Sequence, residues 1–279
     1  MNNAEALRAL RARGLRPKKS FGQNFLSAAP LCDRIAELAL PPATVDSAVV
    51  LEIGAGLGAL TAALAPRAKR IIAVERDRDL MPILEQRFAA TSNVQLLAAD
   101  AVRLRWAPLL DVGDGPKIVC GNLPYQLTGR LLRKATALAP TLQRVVVMVQ
   151  REVADRLRAQ PHAKAYSAMT IFVQAAFSVK RALKVSAAAF TPAPRVDSAV
   201  LVLTPHTIAR AQETPLFQQV VKAAFSQRRK RLSNSLKRLA AKPALQRAAT
   251  AAEVELGDRA EALSVEQFDA LARALAREG

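Results

Sequence analysis

Four consecutive residues, Asn122-Leu123-Pro124-Tyr125, bring together groups that can hold and activate an aromatic amine. The exocyclic nitrogen of a base such as adenine is a poor nucleophile because its lone pair is delocalised into the ring. The Asn122 side-chain oxygen and a neighbouring backbone carbonyl can accept its two N–H bonds and favour a pyramidal nitrogen. Pro124 makes that carbonyl rigid, and Tyr125 offers a face on which a base can stack. The same tetrad also suits an ordinary turn before a helix, so its position in the chain decides its meaning.

A second group lies upstream. Glu52-Ile53-Gly54-Ala55-Gly56-Leu57-Gly58-Ala59 puts glycines where a strand turns into a helix, which lets the backbone approach a ligand closely. Glu75 follows Gly54 by 21 residues, the spacing at which a carboxylate can accept both hydroxyl hydrogens of a ribose. Asp100 and Asn122 occupy the ends of the next two β-like runs. A nicotinamide dehydrogenase could use the glycine turn and Glu75, but it gives no role to Asn122–Tyr125.

These residues need a scaffold that lines up strand ends. Val49–Ile53, Arg70–Glu75, Val94–Ala98, Lys117–Gly121 and Val145–Gln150 read as short strands, mostly apolar on both faces. Leu57–Leu64, Asp79–Phe88 and Leu127–Leu138 between them space their apolar residues as helices do. Two later β-like runs, Val179–Val185 and Ser198–Thr204, flank the proline-rich stretch Phe190-Thr-Pro-Ala-Pro-Arg195. The alternation predicts an α/β, Rossmann-like, doubly wound domain over residues 1–205, with Glu75, Asp100 and Asn122 around one crevice. After Pro205 the strands stop, and residues 206–279 are expected to form a smaller helical domain.

Charge narrows the partner. The 279 residues carry 41 lysines and arginines against 23 acids, a formal charge of +18. Such an excess points to a polyanion, either nucleic acid or an anionic membrane surface. Between Thr214 and Ala252 there is no carboxylate but nine basic residues, among them Arg228-Arg229-Lys230-Arg231. Alone, that tetrad could be a solvated helix face; with the basic N-terminal arm (Arg8 to Lys19) it favours nucleic acid. No segment reaches the ~18–20 apolar residues of a membrane span, and no apolar stretch follows the basic start as in a secretory signal. Cys32 and Cys120 make no disulfide framework, so a reducing, cytoplasmic setting is expected. With two histidines far apart, His162 and His206, no metal is expected.

Seven segments together carry a resemblance. They are Ser20-Phe-Gly-Gln-Asn-Phe-Leu26, Glu52 to Thr61, Val74-Glu75-Arg76-Asp77, Asp100-Ala101, Gly121 to Tyr125, Gln150-Arg-Glu152 and Phe190-Thr-Pro-Ala-Pro-Arg-Val-Asp-Ser198. Over essentially its whole length the chain resembles the KsgA-type ribosomal RNA adenine dimethyltransferases, relatives of the Erm methylases. Ala55 stands where that family often has proline, and Gln126 where it often has asparagine. The tail around Phe225–Leu236 looks like the KsgA rather than the Erm branch.

The resemblance implies a class I methyltransferase domain using S-adenosyl-L-methionine, followed by an RNA-binding helical domain. It implies dimethylation of two adjacent adenosines near the 3′ end of 16S rRNA, within the small ribosomal subunit or its precursor, by a monomer. By the same resemblance Asn24 and Leu26 cover the donor, Gly54 and Gly56 approach its methionine part, and Glu75 holds its ribose. Asp100 contacts its adenine, and Asn122 borders donor and acceptor. Leu123, Pro124 and Tyr125 complete the acceptor pocket, with Phe190 stacking on the target base opposite Tyr125. Arg228, Arg229, Lys230 and Arg231 are the expected RNA contacts. Two alternatives stay open: an Erm-like 23S rRNA methylase, and a non-catalytic RNA-binding assembly factor.

Overall fold

In chain order the strands are β1 (Phe25–Leu26), β2 (Val49–Ile53), β3 (Arg70–Glu75), β4 (Val94–Ala98), β5 (Lys117–Asn122), β6 (Arg144–Gln150), β7 (Phe177–Val185), β8 (Phe190–Thr191) and β9 (Ser198–Pro205). The first six helices are α1 (Asn3–Ala12), α2 (Ala29–Ala39), α3 (Ala59–Leu64), α4 (Met81–Phe88), α5 (Ala107–Leu110) and α6 (Thr128–Ala137). The remaining six are α7 (Arg151–Leu157), α8 (Ala168–Ala176), α9 (Pro215–Ser226), α10 (Leu232–Ser235), α11 (Lys242–Ala251) and α12 (Val265–Ala276). This computed structural model describes residues 1–278.

Seven strands make one sheet in the order β4-β3-β2-β5-β6-β9-β7, and β1 pairs with β8 in a separate antiparallel ribbon. Neighbours from β4 to β6 run parallel, and β9 is antiparallel to β6. Every residue of β2 is buried, as expected for a central strand covered on both faces. The edge strand β4 instead has all five residues at least partly exposed, so there the expectation of a strand apolar on both faces fails. Because β2 pairs with β3 on one side and β5 on the other, the strand order reverses between β2 and β5. Open α/β sheets form their ligand crevice at the carboxyl ends of strands flanking such a reversal.

One face of the sheet is filled by Val50, Ile71, Ile118, Cys120, Val146, Met148 and Val200 against Cys32, Ile35, Leu60 and Leu64 of α2 and α3. A second cluster joins Ala6 and Leu10 of α1 to Phe25, Leu57, Leu80 and Ile83. An Asn2–Glu5 capping box starts α1.

Gly121 in β5 is a site of forced close approach. A Cβ there would lie 2.4 Å from the Ile53 carbonyl oxygen, and backbone cannot swing away as a side chain can. Gly121→Ala is expected to push β5 from β2 at the floor of the crevice and to cost about 1–3 kcal/mol. A lowered urea midpoint with unchanged m-value checks this.

The chain divides into two compact units. The first comprises Met1–Ala154 and Val179–Pro205; the second comprises Asp155–Ser178 and His206–Gly279. The expected linear division, 1–205 and 206–279, is therefore corrected for residues 155–178. The reason is packing: Tyr166, Ile171, Phe172 and Ala175 share a hydrophobic cluster with Phe217, Val220 and Val221 of α9 and Phe268, Leu271 and Leu275 of α12. The apolar spacing of α9 and α12 is helical, and Thr214 and Ser264 cap their first turns. Among the described residues no helix is long and apolar enough to cross a membrane.

Candidate active site

The carboxyl ends of β2, β3, β4 and β5 open on a cavity of about 210 Å³. Asn24, Leu26, Gly54, Gly56, Glu75, Asp100, Asn122, Leu123, Pro124 and Tyr125 all line it. Ten of the eleven residues expected in the donor and acceptor sites thus meet in one place.

The floor is the turn after β2. Gly54, Gly56 and Gly58 take φ of 78°, 59° and 78°, conformations that cost other residues steric strain. Glu75 holds this turn: its Oε2 accepts from the Gly56 N–H at 2.8 Å and its Oε1 from the Asp77 N–H at 2.8 Å. Burial pushes the Glu75 carboxyl above its ordinary range against the pull of those N–H groups. Each carboxylate oxygen keeps a further lone pair with which to accept from a ligand. Asp100 accepts from the Val102 N–H at 2.9 Å, so its side chain is set by its own turn.

Glu52, which sequence reasoning leaves as part of the glycine motif, is 1% exposed and borders the cavity. Its Oε2 and the Thr61 Oγ1 both lack a hydrogen-bond partner of good geometry among the described residues. Burial pushes its carboxyl up to about 7, opposed by nearby Thr61 and reinforced by the charge of Glu75. The folded state therefore holds this proton more tightly than the unfolded chain. Glu52 thus contributes stability below pH 4.5 that is lost as pH rises through about 7. Glu52→Gln is expected to flatten that decline. Denaturant midpoints at about pH 5 and pH 8 test it, since the variant's should differ less than the wild type's.

At the end of β5, Asn122 Nδ2 donates to the Asn24 carbonyl at 3.3 Å, which leaves Oδ1 free to accept a further hydrogen bond. The Pro124 carbonyl accepts from the Leu127 N–H and the Thr128 hydroxyl. Tyr125 shares a 3.0 Å hydrogen bond with Ser198 at the start of β9, which fixes the ring against the sheet. Sequence reasoning assigns Ser198 no role, because a serine beside Asp197 carries no signal of a tyrosine 73 residues away.

Phe190 corrects an expectation. It is 4% exposed, lies in the core cluster with Leu26 and Val185, and does not line the cavity. Its backbone pairs with Leu26, so its place is behind the segment that covers the cavity rather than opposite Tyr125. Burying that apolar ring in the core is favourable in itself.

In the second unit the basic tetrad divides. Arg228 donates to the carbonyls of Lys164 and Tyr166, both at 2.9 Å, and lies 3.6 Å from Glu261 Oε2. Its guanidinium staples the loop before α8 through one nitrogen, while the side chain as a whole stays 46% exposed. Arg229, Lys230 and Arg231 are exposed.

Residues 14–277 match the family of ribosomal RNA adenine dimethylases. The chain belongs to that family. One relative, the ribosomal RNA small subunit methyltransferase A of Anaeromyxobacter sp. (strain K), is 42% identical over 272 residues, covering 94% of each chain. The fold is that of a dimethyladenosine transferase from Plasmodium falciparum, with 24% identity, a TM-score of 0.75, and 91% and 98% of the two chains covered. The 23S rRNA methyltransferase ErmE is also similar, with 26% identity and a TM-score of 0.66 over 91% of this chain and 100% of that one.

Proposed function

We propose that this protein transfers methyl groups from S-adenosyl-L-methionine to N6 of two adjacent adenosines near the 3′ end of 16S rRNA. The products are dimethyladenosines, made during small-subunit biogenesis by a monomer in the cytoplasm. The observation that carries the reading is the convergence of the Glu75 carboxylate and the Asn122 amide on one cavity, in a chain of this family. The names of its relatives, 42% identical in one case, favour the small subunit over the large one.

The residues present fit the donor. Positive-φ glycines let backbone approach it, and the unpartnered Glu52 Oε2 and the spare lone pairs of Glu75 suit its amino and hydroxyl groups. Glu75 holds the ribose, Asp100 meets the adenine, Gly54 and Gly56 lie along the methionine part, and Asn24 and Leu26 cover it. Bound there, the donor supplies a methyl group on a sulfonium whose charge is lost as the methyl leaves.

The remaining work falls to the acceptor side. Asn122 Oδ1 and the Leu123 carbonyl accept the two N–H bonds of the amine, since the Pro124 carbonyl is already engaged. That geometry pyramidalises the nitrogen and aims its lone pair. The proton leaves after the N–C bond forms, so no histidine base is required. A flipped adenine stacks on Tyr125, whose ring Ser198 holds in place. Phe190 contributes by fixing β1, and with it Asn24 and Leu26.

Labelled methyl transfer to unmethylated small subunits, with the product nucleosides identified by mass spectrometry, tests the proposal. N6,N6-dimethyladenosine from 16S rRNA is the expected product. Label in large subunits alone, or none, overturns it.

Arg229, Lys230 and Arg231 meet RNA phosphates. Changing Arg229, Lys230 and Arg231 to Gln is expected to lower the salt slope of RNA binding by up to roughly one unit for each phosphate no longer neutralised. Arg228→Gln is expected in addition to lower stability, because it frees the carbonyls of Lys164 and Tyr166. Equal slopes for the triple variant and the wild type would return these residues to a solvated surface.

A further inference from the structure

Residues 13–24 join two buried anchors. On one side α1 packs through Ala6 and Leu10, and on the other β1 is paired with β8 and buried at Phe25 and Leu26. Between these anchors the backbone crosses the cavity, which Ser20 to Asn24 line.

One carboxylate pins the middle of this segment. Asp77 is 2% exposed and sits just beyond β3, outside the cavity wall. Its Oδ1 accepts from Lys18 Nζ at 2.6 Å, and its Oδ2 accepts from Gln23 Nε2 at 2.8 Å. Lys18 Nζ also meets Asp79 at 2.6 Å, and the Lys18 N–H closes the loop on Gln23 Oε1 at 2.7 Å. Phe21, between them, lies under the Lys18 ammonium and the Arg76 guanidinium, 5.4 and 4.8 Å from its ring centre. Burial opposes ionisation of Asp77, but the bonds from Lys18, Gln23 and the Asp79 N–H prevail and hold its carboxyl below the usual range.

The two ends of this arrangement touch the two halves of the site. The Asp77 N–H donates to Glu75 Oε1, and the Asn24 carbonyl at the far end of the segment accepts from Asn122 Nδ2. We propose that Asp77 is a positioning residue that latches residues 18–24 over the donor cavity through Lys18 and Gln23, and thereby sets the orientation of the Asn122 amide. The inference rests on the cavity being the donor site. Each methyl transfer consumes one donor, so the latch must open once per transfer, and it ties donor retention to readiness of the acceptor site.

Asp77 also caps the turn at Arg78–Leu80 through the Asp79 N–H, so a purely local role must be separated from the latch. Lys18→Met removes the charged half of the latch, together with the Asp79 ion pair, and leaves the cap, because the cap runs from the Asp79 N–H to Asp77 Oδ1 and uses no atom of Lys18. Asp77→Asn keeps an oxygen for the cap but removes the charge. The first readout is amide hydrogen exchange of the donor-free protein. Faster exchange confined to residues 18–24 is expected in both variants. The second is the dissociation rate of S-adenosyl-L-homocysteine, expected to rise about tenfold with loss of a charge-assisted bond. Unchanged exchange in Lys18→Met overturns the latch. So does faster exchange centred on the Arg78–Leu80 turn instead of 18–24, which marks a cap, or faster exchange at 18–24 with ligand dissociation unaltered. A wild type that binds no S-adenosyl-L-homocysteine refutes the donor site instead, while the exchange comparison still decides whether Lys18 and Asp77 hold the segment.

Discussion

Asn122→Ala is expected to slow methyl transfer by about 100-fold or more at saturating RNA and donor, the scale for one lost transition-state hydrogen bond. Binding should change far less, because the contribution of Oδ1 grows as the nitrogen pyramidalises. The structure adds a second loss: Asn122 Nδ2 holds the Asn24 carbonyl, so alanine also releases the covering segment at its inner end. Single-turnover rates measured beside donor affinity separate the two. If the rate stays within a few-fold of wild type, Asn122 does not hold the amine.

Glu75→Ala should have the next largest effect, on donor affinity rather than on RNA affinity. Loss of the ribose bonds alone corresponds to about 1–3 kcal/mol. Here the carboxylate also accepts from Gly56 and Asp77, so alanine frees the glycine turn and the turn that carries the latch. A weakening near the top of that range, about 100-fold, is therefore expected. Calorimetric titration with donor checks it; unchanged donor binding with poorer RNA binding would reverse the assignment.

Much of this architecture is legible in the sequence because strand ends and glycine turns leave local traces. The expected run Val49–Ile53 is β2, and the glycines after it take the left-handed backbone that their spacing implies. Bringing Glu75, Asp100 and Asn122 together follows from one rule of parallel sheets. What escapes depends on distant partners. Residues 168–176 are apolar in sequence but carry no sign of which core receives them, so the linear division misplaces that segment. The four bases at 228–231 look alike in sequence, yet Arg228 alone finds two backbone carbonyls, 64 and 62 residues away. Phe190 is placed by resemblance, whereas its burial beside Leu26 reflects a strand pair too short to read from sequence. The Lys18–Asp77 pair spans 59 residues, and neither partner stands out among its charged neighbours.

The interrupted second unit has a consequence for synthesis. A ribosome makes Ala168–Ala176 long before Val265–Ala276, the helix whose Phe268 and Leu271 share its core. At about 5–20 residues per second, the earlier helix waits roughly 5–20 s for that partner, with only α9 to pack on in the meantime. The nascent first unit, in contrast, can close its sheet as soon as β9 emerges. Until the last helix arrives, the growing polypeptide carries a ready-made sticky face in its middle, where holding chaperones have most to protect.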